Sequence, residues 1–131
     1  MSLGAAIFTR ASTEAGLTAL IGSGADARIY KLQIPQGGAT APYIIWQTVS
    51  GLPMRTHNAP VDLSFATVQF ACFATTPEGA TTLREALIAA FDNVELSHGE
   101  TAVLQEDGRD DYEEAVQLYR ADADFVIPHR H

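Results

Sequence analysis

The 131-residue sequence predicts an α+β fold: an antiparallel sheet of about five strands with two helices packed on one face. Three observations predict it. Between Gln117 and Ile127 the side chains alternate with a clean period of two. Gln117, Tyr119, Ala121, Ala123, Phe125 and Ile127 point one way, and Leu118, Arg120, Asp122, Asp124 and Val126 the other. That is the signature of a strand with one face on a core and one towards water or a partner. Two segments, 3–21 and 77–91, instead repeat their apolar residues at helical spacing. The remaining strands follow one another without intervening helices, which implies antiparallel pairing. The expected order is α-β-β-β-α-β-β, in a single domain spanning residues 1–131.

Along the first helical segment, Ile7, Phe8, Ala11, Ala15, Leu17, Leu20 and Ile21 recur at roughly helical intervals. A break is expected near Ser12-Thr13, where either side chain could cap a second short helix. Gly22-Ser-Gly24 ends it. Residues 28–34, RIYKLQI, read as a short strand, and 35–42 as a loop too rich in Gly, Pro and Ala for any regular element. Tyr43 to Val49 is aromatic and β-branched, hence a strand. Residues 50–63, SGLPMRTHNAPVDL, form the longest stretch expected to be irregular, and loops of that length in a compact domain are usually functional or disordered.

Phe65 to Thr75 alternates again, with Ala66, Val68, Phe70, Cys72 and Ala74 on one face. Thr76-Pro77-Glu78 is a helix start: a cap, a proline at the first helical position and an acid at the positive end of the dipole. That helix buries Leu83, Leu87, Ala90 and Phe91. Residues 101–106 form a strand, and Asp107-Gly108 is expected to turn it into the last one.

Length allows one core without staples, and the 47% apolar and 18% charged fractions describe an ordinary globule. No apolar run approaches the ~20 residues that cross a bilayer. The start MSLGAAIFTR lacks the pattern of a secretory signal. Cys72 is the only cysteine, so no internal disulfide exists, which fits a reducing compartment. Its place in an apolar strand reads as a small core residue.

The net charge of −8 is unevenly spread. Residues 1–94 hold six acids and five bases, whereas 95–124 hold ten acids against Arg109 and Arg120. An acidic surface disfavours phosphate backbones, which argues against a nucleic-acid binder that works through charge.

The acidic cluster Glu106, Asp107, Asp110, Asp111, Glu113 and Glu114 is the one concentration of titratable groups, but its spacing does not match a calcium loop. It reads as a solvated or interfacial turn. His129 and His131 have ligand-like spacing at a terminus without a nearby carboxylate or cysteine. No serine sits in a nucleophile elbow, and Gly22-Ser-Gly24 precedes no phosphate-loop or dinucleotide fingerprint. Tyr43 and Trp46 are expected in or beside the core. No catalytic residue, cofactor or metal site is expected, so the chain reads as a module that binds rather than an enzyme.

Four stretches together carry a resemblance: MSLGAAIF, ARIYKLQIPQGGATAPYIIWQTVSG, VQFACFATTPEGATTLREALIAAF and EDGRDDYEEAVQLYRADADFVI. In their order, in Arg-Ile-Tyr before a Pro/Gly loop, and in the DDY…LYR…DF close, the chain resembles the tail-completion proteins of long-tailed phages, prophages and gene transfer agents. These are also called tail-terminator or tail-to-head joining proteins. The resemblance covers nearly the whole chain, apart from the terminal HRH and residues 52–62.

It implies a structural virion protein. Such proteins form a ring, commonly six-fold, that closes the finished tail tube and docks it to the head connector, and DNA passes through the channel without specific binding. The subunit can be monomeric before it meets the tube. Partner contacts are expected at two places: Leu52, Met54, Arg55 and His57 in the irregular stretch, and Glu106, Asp107, Arg109, Asp110 and Asp111 in the acidic turn. The turn either faces the channel, where it repels phosphates, or meets a basic patch on a neighbouring ring. Two rival functions remain: a head-closure or neck adaptor of the same particle, and a small ligand-binding or hydrolytic α+β domain. The second requires a buried polar pocket with perturbed titrating groups.

Overall fold

The computed structural model describes residues 3–35, 38–55, 60–96, 101–106, 108 and 110–130. Three helices pack against a mixed sheet. In chain order the elements are α1 (Leu3–Thr13), α2 (Ala15–Ile21), β1 (Ile29–Lys31), β2 (Tyr43–Arg55), β3 (Pro60–Ala74), α3 (Pro77–Phe91), β4 (Val94–Glu95), β5 (Thr101–Glu106), β6 (Asp110–Glu113) and β7 (Leu118–Arg130). The strands lie in the order β1-β2-β3-β7-β5-β4, and β6 pairs with β7 beyond the end of β5. The α+β class stands. Among the described residues, the expected five-stranded antiparallel sheet with two helices becomes a seven-stranded mixed sheet with three α-helices and a short 3-10 helix at Gly24–Asp26.

Parallel pairing enters through β1, because residues 32–42 are long enough to carry the chain back to run alongside it. The helix break falls at Glu14, close to where the sequence places it. The capping differs: the Ser12 and Thr13 hydroxyls both donate back to the Thr9 carbonyl and do not cap α2.

Residues 50–63 hold the largest correction. Residues 50–55 and 60–63 are strand rather than irregular loop, because β2 continues to Arg55 and β3 starts at Pro60, in an antiparallel arm that puts Leu52 opposite Phe65 and Pro53 opposite Ser64; residues 56–59 lie outside the described residues. The prolines that argue against a strand are tolerated by position. Ile44 donates to Arg28 and Trp46 accepts from Leu32, so even-numbered residues turn their amides towards β1. The register slips at Val49, and past it Gly51 and Pro53 face outward, where β1 has already ended. A missing N–H there costs no ladder bond, and Pro60 opens its strand.

The helices cover one face of the sheet. Ala6, Ile7 and Ala11 from α1, Leu17 and Ile21 from α2, and Leu83, Leu87 and Phe91 from α3 meet Ile44, Val68, Phe70, Cys72, Ala123, Phe125 and Ile127. Phe70, Phe91 and Phe125 form a triangle with ring centres 5.3 to 6.1 Å apart. Such pairs add about 0.5–1.5 kcal/mol each beyond burial. The alternation expected along β7 is present from Tyr119 onward. Gln117 lies outside the strand, in a turn with φ 56°. Trp46 and Tyr43 are buried, and Cys72 is fully enclosed.

Side-chain ties lock the layers. Thr76 Oγ1 accepts from Gly79 N at 2.9 Å, which caps α3 as the sequence predicts and contributes about 1 kcal/mol. Arg10 Nε donates to the Ala90 carbonyl at 2.7 Å, joining α1 to the negative end of α3. Arg28 bridges the Leu20 and Pro42 carbonyls. The opposite face is not wholly open: Ile34, Ala39 and Ala41 pack onto Tyr43, Ala71 and Phe73. Burial, with Tyr30 alongside, raises the Tyr43 phenol above its ordinary pKa.

Candidate partner interface

Two surfaces carry the residues singled out by the sequence, and the structure keeps them apart. Leu52, Met54 and Arg55 lie on the β2–β3 arm, where Arg55 pairs with Pro60. Asp110 and Asp111 lie on β6. Along β7, Ala121 stands opposite Asp110 and Arg130 opposite Leu63, nine residues on. At 3.3–3.4 Å per strand residue the two surfaces are about 30 Å apart. Glu106 ends β5, in register with Asp124. His57, Asp107 and Arg109 lie outside the described residues.

The acidic segment is built differently from the expected hairpin turn. At Gly108 the chain does not reverse: β5 and β6 both run antiparallel to β7, one after the other along its margin. Gly108 kinks this run with φ 66°, against the backbone of Asp122. Only glycine fits, because a Cβ would overlap the Asp122 carbonyl oxygen. Reversal comes later, through Glu114–Gln117.

A charge network fixes this margin. Arg84 Nη1 on α3 donates to Asp110 Oδ1 at 2.7 Å. Arg120 donates from Nε to Asp122 Oδ1 at 2.7 Å and from Nη1 to Glu113 Oε1 at 3.2 Å. Its guanidinium also lies 5.8 Å from the Phe73 ring centre. Burial pulls the Arg120 pKa down, but hydrogen bonding and charge from Asp122, then Glu113, outweigh it, and the net shift is upward. Asp111 Oδ1 accepts the neighbouring Tyr112 amide at 2.8 Å, and Asp111 and Glu114 are exposed. Tyr112 rests on Tyr119 with ring centres 4.9 Å apart.

A shallow cavity of about 170 Å³ opens on the helix-free face, lined by residues that include Leu32, Ile45, Gln47, Gln69, Phe73 and Arg120. Its one ionisable group, Arg120, is already bound to two carboxylates, so the lining holds no acid, base or nucleophile to act on a ligand. Among the described residues, no group of three or more His, Cys, Asp or Glu side chains could hold a metal ion. Burial pushes the Cys72 thiol well above the ordinary thiol range, which leaves it a poor nucleophile.

Sequence reasoning missed Arg84 as the partner of Asp110, and the linkage of Arg120 to Asp122. The second was readable: Arg120 and Asp122 are two apart on a strand and therefore share a face. The first needed the tertiary approach of α3 to β6. Lys31 and Leu32, at the other margin of the sheet, gave no signal, because the φ of 69° at Leu32 is invisible in a sequence.

The family model described as "Tail completion protein gp17" matches residues 5–129. No curated protein sequence matches the chain. Among solved structures, a chain of the "Virion of native gene transfer agent (GTA) particle" is similar at a TM-score of 0.79 and 15% identity, covering 99% of this chain and 96% of that one. At that identity the likeness establishes the fold.

Proposed function

Since the chain belongs to the tail completion protein gp17 family, a family of structural phage-tail proteins, we propose that it forms a ring, six-fold in the particle, that closes the tail tube and joins it to the head connector. The family match over residues 5–129 carries this reading. The molecule works by shape and surface: it stands at the head–tail junction of the virion, contacts the tube protein on one side and the connector on the other, and lets DNA pass without binding it. The shape of the subunit supports the proposal. The β2–β3 arm and the β6 margin lie about 30 Å apart along the sheet, which suits one subunit that touches two different neighbours. The β2–β3 arm, with Leu52, Met54 and Arg55, is the contact to tube or connector, and the β6 margin, with Asp110 and Asp111, is a contact between subunits.

Deleting residues 53–60 tests the arm. The expected product is a folded protein that leaves tails unfinished and unjoined, seen as headless tails of irregular length. Tails of normal length, attached to heads, would remove the arm from the mechanism. Electron microscopy that locates the chain along the tail axis separates this role from that of a head-closure adaptor, because a tail protein is present on purified tails before they meet heads.

A further inference from the structure

The sheet has a short strand on each side of its central pair. Among the described residues β1 has one strand neighbour, β2, and β6 has one, β7. The registers put these margins at one level, since Ile29, Ile44, Cys72, Ala121 and Asp110 fall in a single cross-strand row. Four strand spacings separate them, roughly 19 Å of sheet width.

The margins carry opposite charge. Lys31 is exposed on β1, with Nζ 5.4 Å from the centre of the Trp46 ring, and among the described residues its contact is that ring rather than a carboxylate. Arg28 beside it spends its hydrogen bonds on carbonyls and keeps its charge uncompensated by them. On the β6 side, Asp111 and Glu114 are exposed next to the bridged Asp110 and Glu113. Each margin also shows large apolar side chains to solvent: Leu32 is 63% exposed, Tyr112 42% and Val116 46%. Leu32 is held outward at a positive φ that side-chain-bearing residues seldom adopt.

We infer that the β1 margin of one copy meets the β6–β7 hairpin of the next, with Lys31 against the acids of 111–114 and Leu32 against Tyr112 and Val116. The inference rests on the ring reading above. A ring of identical subunits needs two different, complementary surfaces on each copy, and these margins supply both signs of charge and both apolar partners.

The test adds purified protein to tails made without it and counts ring-capped ends by electron microscopy. Lys31→Glu and Asp111→Lys each set like charges together, and each should raise the protein concentration needed for capping about tenfold. Combined in one chain, they restore opposite signs and should restore capping. Circular dichroism confirms that all three variants are folded. Single variants that cap as well as the unaltered protein, or a double variant no better than the singles, would overturn the inference. Intact capping with lost head attachment would overturn it too, by assigning these margins to another virion component. If the unaltered protein forms no ring at tail ends, the ring reading itself fails.

Discussion

Arg120 Nε lies 2.7 Å from Asp122 Oδ1, two residues along the same strand and on the face without helices. Asp122 is only 5% exposed, so this bond compensates a carboxylate taken out of water. Removing one partner of a fully buried pair costs about 3–5 kcal/mol. Here Arg120 keeps Glu113 and stays partly solvated, so Asp122→Ala should cost less, about 2 kcal/mol. Urea unfolding monitored by circular dichroism measures it. A cost near zero would mean that the network contributes nothing to stability.

Gly108 packs against the backbone of that same Asp122. Gly108→Ala combines a left-handed φ with a backbone overlap and should cost about 2 kcal/mol or more, with β6 amides losing exchange protection first. Gly24→Ala is the control. It has a similar φ of 60° but open space around its Cβ, so it should cost only about 1 kcal/mol. Equal losses at the two sites would refute the role of the close approach.

The aromatic triangle should dominate core energetics. Phe70→Ala is expected to cost about 3–5 kcal/mol, in the range for large buried aromatic side chains. Combined with Phe125→Ala the loss should be non-additive, because the two rings share an edge contact with centres 5.6 Å apart. Thermal and urea unfolding of the two single variants and the double variant give the coupling energy directly.

Alkaline pH should weaken the fold through Cys72. Its folded-state pKa is raised, so its contribution is fully present below the unfolded value of 9.0 and is lost as pH rises from there towards the folded value. Tyr43, also raised, adds a loss that begins near 10.0. Cys72→Ala should therefore flatten the decline in stability between about pH 9 and 10 relative to the unaltered protein. A disulfide reagent should label Cys72 only as fast as the protein opens, and instantaneous labelling in native buffer would contradict its burial.

Local periodicity made α3, the inward face of β7 and the core residues of β3 legible, since each rests on spacing within one element. The strand ends at 50–55 and 60–63 were not, because two prolines and a glycine argue for a loop until the outward alternation of β2 past Val49 is known. Asp107-Gly108 looked like a hairpin turn for the same reason. Whether the chain reverses or only kinks at Gly108 depends on β7 lying alongside both β5 and β6. The two clusters of candidate residues were legible as compositional oddities. That they stand at opposite ends of β7, and that Ile29 sits level with Asp110 across the sheet, emerges only from strand order and register.

Pro53 has a consequence for the life of the subunit before assembly. An uninterrupted row of outward amides on β2 would template pairing with any passing strand, and hence precipitation in a crowded cell. A proline in that row removes a donor and blunts the template, which guards a free copy against sheet-to-sheet pairing at this edge.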